Sequence, residues 1–250
     1  MIREPKNQSK ADLTQFSMME SVFESSAGTL AERIDGFPKF ASRQAIAKFL
    51  ARYEIFKEIL EVNGSIVECG VLHGAGLLTW AKLSSIFEPA NHVRKVIGFD
   101  TFEGFPSISD ADRTEGDSSH LVEGGLTGSS LDDVQRAVHL YDQNRPIAHI
   151  PKVELVKGDL CKTGPAYLKL NPHLVVSMLY LDLDLYEPTK VALETFLPRM
   201  PKGAVIVFDE LNAKMFPGET LAVDEVLGLR NIRIRRMPFD SYVSYCVIGE

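Results

Sequence analysis

Positive charge is in short supply in this chain. Its 250 residues hold 27 Lys and Arg against 34 Asp and Glu, a net charge of −7. A protein that works on nucleic acid or on an anionic lipid surface needs a basic face, so neither partner is expected. Long apolar runs are absent as well. Nothing approaches the ~20 residues of a membrane-crossing helix, and the first stretch, MIREPKNQSKADLTQ, lacks the apolar centre of an export signal. Cysteine is scarce: Cys69, Cys161 and Cys246 have no CxxC spacing and sit in or beside strand-like runs. They are expected as reduced core residues of a cytoplasmic protein. No GxSxG, Walker lysine loop or HExxH occurs, which removes the serine-hydrolase, P-loop and zinc-protease patterns. Cys69 and His73 suggest a thiol–imidazole pair, but Cys69 belongs to a strand end. His120, His139 and His149 fall in or after a long loop and are expected as surface residues.

What remains is an ordinary globular composition, 45% hydrophobic and 24% charged, with a length that suits one large domain or one domain with an appendage. The first sixty residues read as helical. In ASRQAIAKFLARYEIFKEILEVNG the residues Ile46, Phe49, Leu50, Tyr53, Phe56, Ile59 and Leu60 recur at three- and four-residue spacing, with Ser42 as N-cap and a stop at Asn63-Gly64. Residues 1–62 are read as a helical segment for covering the site or for self-association, with Phe16, Met18 and Met19 either at an interface or packed inward. Residues 63–250 are read as the main domain.

From Ser65 the period changes. SIVEC, RKVIGFD, KVELVKG, LVVSMLYLDL and GAVIVFDE are apolar and do not alternate, and helical stretches separate them. Such strands are buried on both faces, which implies a parallel sheet flanked by helices. NIRIRRM and SYVSYCVIG are joined by too short a link for a parallel crossover and must pair antiparallel. Ser107 to Ile150 fits neither pattern. It is long, rich in Gly, Ser and Asp, and holds one helical piece capped by Ser129 or Ser130, the profile of a lid.

The chemistry gathers at strand ends. In VECGVLHGAG a buried strand runs into Glu68, and Gly70, Gly74 and Gly76 then lead into a helix, the place where α/β folds bind ligands. The spacing is not that of the dinucleotide fingerprint, and Glu68 precedes the first glycine, so it suits a cationic ligand group. A tight turn with a solvated glutamate is the plainer alternative. Asp100 ends the next strand, where an acid can bind ribose hydroxyls or cap the strand, and Asp159 follows another. The densest block pairs LDLDLYEPT with VIVFDELN. If their strands are neighbours, Asp182 and Asp209 lie ~5 Å apart and can share a hard cation, with Glu210 or Asn212 adding oxygen. Otherwise Asp182 and Asp184, two apart, point the same way and cap helices.

Together VECGVLHGAG, GFDTFEGFP, LDLDLYEPT and VIVFDELN resemble the macrocin O-methyltransferase (TylF-type) family of class I S-adenosylmethionine-dependent methyltransferases, over roughly Ser42 to Val247. The resemblance implies a three-layer Rossmann-like α/β fold, a sheet of seven strands with the last antiparallel. It implies that Glu68, Gly70, His73 and Gly74 line the methionine part of S-adenosylmethionine, that Asp100 and Thr101 hold the ribose, and that Asp159 lies near the adenine. Asp182, Asp209 and Glu210 would bind Mg²⁺, with Asp182 or Asp184 as catalytic base. Two departures are visible: Glu210 stands where a second aspartate is common, and His73 where an arginine is common. The implied partner is a small-molecule sugar acceptor, nucleotide-linked or on a glycosylated natural product of antibiotic biosynthesis, and the implied assembly is a homo-oligomer. Two other readings compete: a metal-dependent nucleotide-sugar glycosyltransferase, since Asp182-Leu183-Asp184 also matches D-x-D, and a methyltransferase-like binding protein without catalysis.

Overall fold

The computed structural model describes residues 9–113 and 121–250; His120 lies outside them, as does part of the Ser107–Ile150 segment. The chain divides into two compact units, residues 1–48 and 49–250. The first contains α1 (Lys10–Ser25), α2 (Leu30–Asp35) and the start of α3 (Arg43–Glu58). Local chemistry sets these helix starts. Thr29 and Glu32 form a reciprocal capping box on α2, and Ser42 Oγ accepts the Ala45 N–H at 3.1 Å to begin α3. Phe16 and Met18 are exposed on α1.

The second unit is built on a seven-stranded sheet: β1 (Ser65–Cys69), β2 (Val96–Asp100), β3 (Val153–Lys157), β4 (Val176–Leu181), β5 (Val205–Phe208), β6 (Arg235–Arg236) and β7 (Ser244–Val247). Its order is β3-β2-β1-β4-β5-β7-β6. The first five strands run parallel, and β7 is antiparallel to both β5 and β6. Of the non-alternating strands, β1, β2, β4 and β5 are buried on both sides, as their composition demands. β3, at the sheet edge, is only half-buried because it has a neighbouring strand along one edge alone. One side packs Ile66, Met178, Tyr180, Val205 and Val207 against α3 and against Leu77, Trp80 and Ala81 of α4 (Ala75–Phe87). The other packs Val67, Leu179, Ile206 and Phe208 against α6 (Leu160–Leu170), α7 (Tyr186–Phe196) and α8 (Pro217–Leu227). Within the long loop stands α5 (Leu131–Asp142), with Ser130 as its cap. Among the described residues no helix is long and apolar enough to cross a membrane.

On α3 the buried stripe differs from the one expected. Ala51, Ile55 and Phe56, with Ile59 just past the helix end, are fully buried, whereas Phe49 and Leu50 are exposed. Periodicity alone ranks large apolar residues highest. A helix lying close on a sheet turns its small residue inward instead, and Ala51 sets the face.

The strand order reverses between β1 and β4. From β1 the chain goes outward to β2 and β3, then returns to place β4 on the other side. In open parallel sheets this switch point leaves a crevice at the carboxyl ends of the strands. The loops after β1 and β4 frame it.

Candidate active site

The β1 loop is shaped by contact with β4. Gly70 has φ of 92°, and a Cβ there would stand 1.9 Å from the Asp182 carbonyl oxygen; the Asp182 N–H in turn donates to Cys69 O at 2.9 Å. Only glycine permits that approach. Gly74, with φ of 78°, is the N-cap of α4. Glu68 reaches forward beneath this turn, so close to Gly76 that a Cβ there would lie 2.5 Å from its Oε1. The glutamate is 2% exposed, not the solvated side chain of a plain turn. Burial pushes its carboxyl up to about 8; Asp182 adds to the rise, while Arg52 and the Leu77 N–H oppose it. Trp80 Nε1 faces this carboxyl without closing a hydrogen bond, and both Trp80 Nε1 and Glu68 Oε2 end without a partner. The unpartnered Glu68 Oε2, an acceptor, suits a ligand with a cationic group.

Asp100, at the end of β2, accepts three backbone N–H groups: Val71 at 2.7 Å, Leu72 at 2.9 Å and Phe102 at 2.6 Å. Its carboxylate thus fastens the glycine loop to the neighbouring strand, a use the sequence did not reveal. Thr101 Oγ1 donates to Gly104 O at 2.6 Å and closes the next turn. Asp159 caps α6 by accepting the Cys161 N–H at 3.0 Å and pairs with Lys162 at 3.3 Å. His73 is exposed, with Nδ1 3.0 Å from Ser129 Oγ. Cys69 is buried and its thiol is pushed well up by that burial, so it is no nucleophile.

Across the switch point the acids converge. Asp182 follows β4, and the Asp209 N–H donates to Leu181 O at 3.1 Å, which sets the two acids on adjacent strand ends as expected. Asp184 lies in the loop between β4 and α7, with a left-handed φ of 62°. Asp209 is buried and accepts the Tyr180 hydroxyl. Asn212 donates its backbone N–H to Thr220 Oγ1 at 2.9 Å. Sequence reading missed Glu219 in the first turn of α8. It is 0% exposed; its Oε1 accepts the Glu210 N–H at 3.0 Å, and its Oε2 has no partner. Burial first, then Asp209, Glu210 and Asp184, hold its carboxyl well above the ordinary range. An acid near a helix start reads as a surface residue favoured by the helix dipole, which is why Glu219 gave no signal. Arg52 was missed too, although a lone arginine inside the apolar stripe FLARYEIF was a visible anomaly.

Among the described residues, no three His, Cys, Asp or Glu side chains are closed around a common point as a metal-binding group. The all-oxygen donor set and the orphaned Glu219 Oε2 nevertheless fit a hard cation such as Mg²⁺. The flanks of the long loop are fastened to both sides of the crevice. Ser129 N–H donates to Leu72 O at 3.1 Å, and the buried Asp112 accepts the Tyr186 N–H at 2.6 Å at the start of α7.

Residues 43–241 match the family described as Macrocin-O-methyltransferase (TylF). The crystal structure of CalS11, a calicheamicin methyltransferase, is 30% identical, with a TM-score of 0.93 over 100% of this chain and 98% of that one. The apo structure of CalS11, described as a TDP-rhamnose 3'-O-methyltransferase, gives a TM-score of 0.83 at 30% identity, over 98% and 97% of the two chains. A Streptomyces olivaceus protein, 8-demethyl-8-(2,3-dimethoxy-alpha-L-rhamnosyl)-tetracenomycin-C 4'-O-methyltransferase, is 29% identical over 168 residues, 60% of this chain and 53% of that protein. The match thus spans about half the length of that curated relative.

Proposed function

The chain belongs to the macrocin O-methyltransferase (TylF) family, and on that premise we propose that it transfers a methyl group from S-adenosylmethionine to a hydroxyl of a sugar or deoxysugar with the help of Mg²⁺. The acceptor is nucleotide-linked or carried on a glycosylated natural product, the two chemistries named for the TDP-rhamnose and rhamnosyl-tetracenomycin relatives. The observation that carries this reading is the meeting of Gly70 with Asp182: the loop that would hold the methyl donor and the acids that would hold the acceptor share one rim.

In this reading Glu68 answers the donor's ammonium group, Gly70, His73 and Gly74 admit its methionine part, and Asp100 with Thr101 and Asp159 line its ribose and adenine. Asp182, Asp209 and Glu210 would hold Mg²⁺, which would supply Lewis-acid chemistry that lowers the pKa of a sugar hydroxyl. Asp182 or Asp184 accepts the hydroxyl proton, and the rest is in-line placement of oxygen on the methyl carbon. The Ser107–Ile150 segment covers the acceptor and excludes water. The family match displaces the glycosyltransferase reading.

The test is calorimetric titration with S-adenosylhomocysteine, with and without Mg²⁺, followed by incubation of deoxysugar nucleotides and glycosides with S-adenosylmethionine. Binding of the nucleoside and Mg²⁺-dependent gain of one methyl group on an acceptor are expected. Absence of nucleoside binding would sink the proposal.

A further inference from the structure

Helix α3 sends one charged side chain into the core face formed by Ala51, Ile55, Phe56 and Ile59. Arg52 is 9% exposed. Its guanidinium stands over the Tyr180 ring at 5.6 Å from the centroid, and its Nε has no hydrogen-bond partner. A buried charge in an apolar stripe is expensive unless something compensates it, so the surroundings of Tyr180 are informative.

Tyr180 is the β4 partner of Glu68 on β1 and of Val207 on β5. Partners in a parallel ladder project to the same face, and so do residues two apart. Glu68 therefore stands beside Tyr180 under α3. Asp182 and Asp209 follow two residues beyond Tyr180 and Val207 and continue the ladder through the bonds to Cys69 O and Leu181 O. The Tyr180 hydroxyl donates to Asp209. Burial works against the Arg52 charge, but Tyr180, Glu68, Asp209 and Asp182 more than offset it, so its pKa stands above the ordinary arginine value.

We infer that Arg52 is a positioning residue of this site, a fixed internal cation whose contact with Tyr180 ties the cofactor-side carboxylate Glu68 to the acceptor-side acids Asp182 and Asp209. Glu68, Asp182 and Asp209 crowd one buried face, and without a cation beneath them nothing on that face would draw them together. With Arg52 beneath them they hold their places before donor and cation arrive. Lysine is a poor substitute, because its ammonium lacks the planar face that stacks on an aromatic ring. What the site does with this arrangement rests on the proposed function; the charge arrangement itself does not.

The experiment is a thermal double-mutant cycle on the ligand-free protein with Arg52→Met, Glu68→Gln and the double variant, alongside titration of each with S-adenosylhomocysteine. Arg52→Met is expected to lower Tm by several degrees and to weaken nucleoside binding ~10-fold or more, an effect of the size of coupled neighbouring groups. With the cycle run well above pH 8, where Glu68 is ionised, Glu68→Gln added to Arg52→Met is expected to restore part of the lost Tm, since the uncompensated acid is then gone. Arg52→Lys should fold and still bind the nucleoside less tightly than wild type. If Arg52→Met does not fold, the cycle is run with Arg52→Lys in its place. Additive Tm shifts, or nucleoside affinity that does not move in a folded Arg52 variant, would overturn the assignment. Failure of the wild type itself to bind would instead remove the methyltransferase reading, and the cycle alone would then decide the role of Arg52 in ordering the acids.

Discussion

Gly70 and Asp182 approach so closely across the β1–β4 rim that a single added Cβ would lie 1.9 Å from the Asp182 carbonyl oxygen. Gly70→Ala therefore meets backbone rather than a side chain that can swing away, and at a φ of 92° it also carries backbone strain of about 1–3 kcal/mol. The loop or the β4 end must shift. The expected outcome is a lowered Tm together with weakened S-adenosylhomocysteine binding, read by calorimetry of the same sample. A Gly70→Ala protein that binds as wild type does would show that the loop does not hold the donor.

Glu68 should leave its mark on stability as a function of pH. Its ordinary value is 4.5, and burial takes it to about 8 in the folded protein. Between those values the folded state holds a proton that the unfolded chain has released, so stability falls as pH rises from about 4.5 to 8, with a slope set by the difference in bound protons. At ~1.4 kcal/mol per pKa unit the effect amounts to a few kcal/mol over the window. Glu68→Gln carries no titrating group there, so its Tm profile from pH 5 to 8 should be flatter than that of wild type. Parallel profiles would place Glu68 in a better solvated setting.

The backbone plan was legible because its signals are local or repetitive. Non-alternating apolar runs announced buried parallel strands, and the short link between the last two strands dictated their antiparallel pairing. The placement of Glu68, Asp182 and Asp209 at strand ends followed from where those runs stop. What escaped depends on register and size. The α3 face was misjudged because Phe49 and Leu50 outrank Ala51 in hydrophobicity but not in fit against a sheet. Glu219 is linked to Glu210 only through the docking of α8, which no local pattern encodes. Asp100 kept its predicted place, yet the three N–H groups it accepts depend on the folding of the loop around it.

Asp182 separates binding from chemistry. Asp182→Asn keeps the shape of the side chain but removes a charge from the acidic rim, while the turn around Gly70 meets the Asp182 backbone and Cβ, which the change leaves in place. The expected result is a fall in kcat of ~10²-fold or more, the range lost with a positioned base, with S-adenosylhomocysteine affinity close to wild type. Turnover that persists at the wild-type rate in Asp182→Asn would remove Asp182 from both the cation site and proton transfer.

Among the described residues, the buried acid Asp112 ties the long loop to the start of α7. Asp112 accepts the Tyr186 N–H at 2.6 Å and, through its other oxygen, the Ser109 N–H at 2.8 Å. Asp112→Ala leaves both donors without that acceptor, at a cost of about 1–3 kcal/mol for each that stays buried. The cheaper response is for the segment to lift and let water reach them. Hydrogen exchange should then speed up across residues 107–113 while the strands stay protected, and KM for the sugar acceptor should rise more than KM for S-adenosylmethionine. The acceptor is the ligand the segment would cover, whereas the donor would be held chiefly by the β1 loop. An equal rise in both constants would mean that the segment supports the whole crevice rather than closing over the sugar.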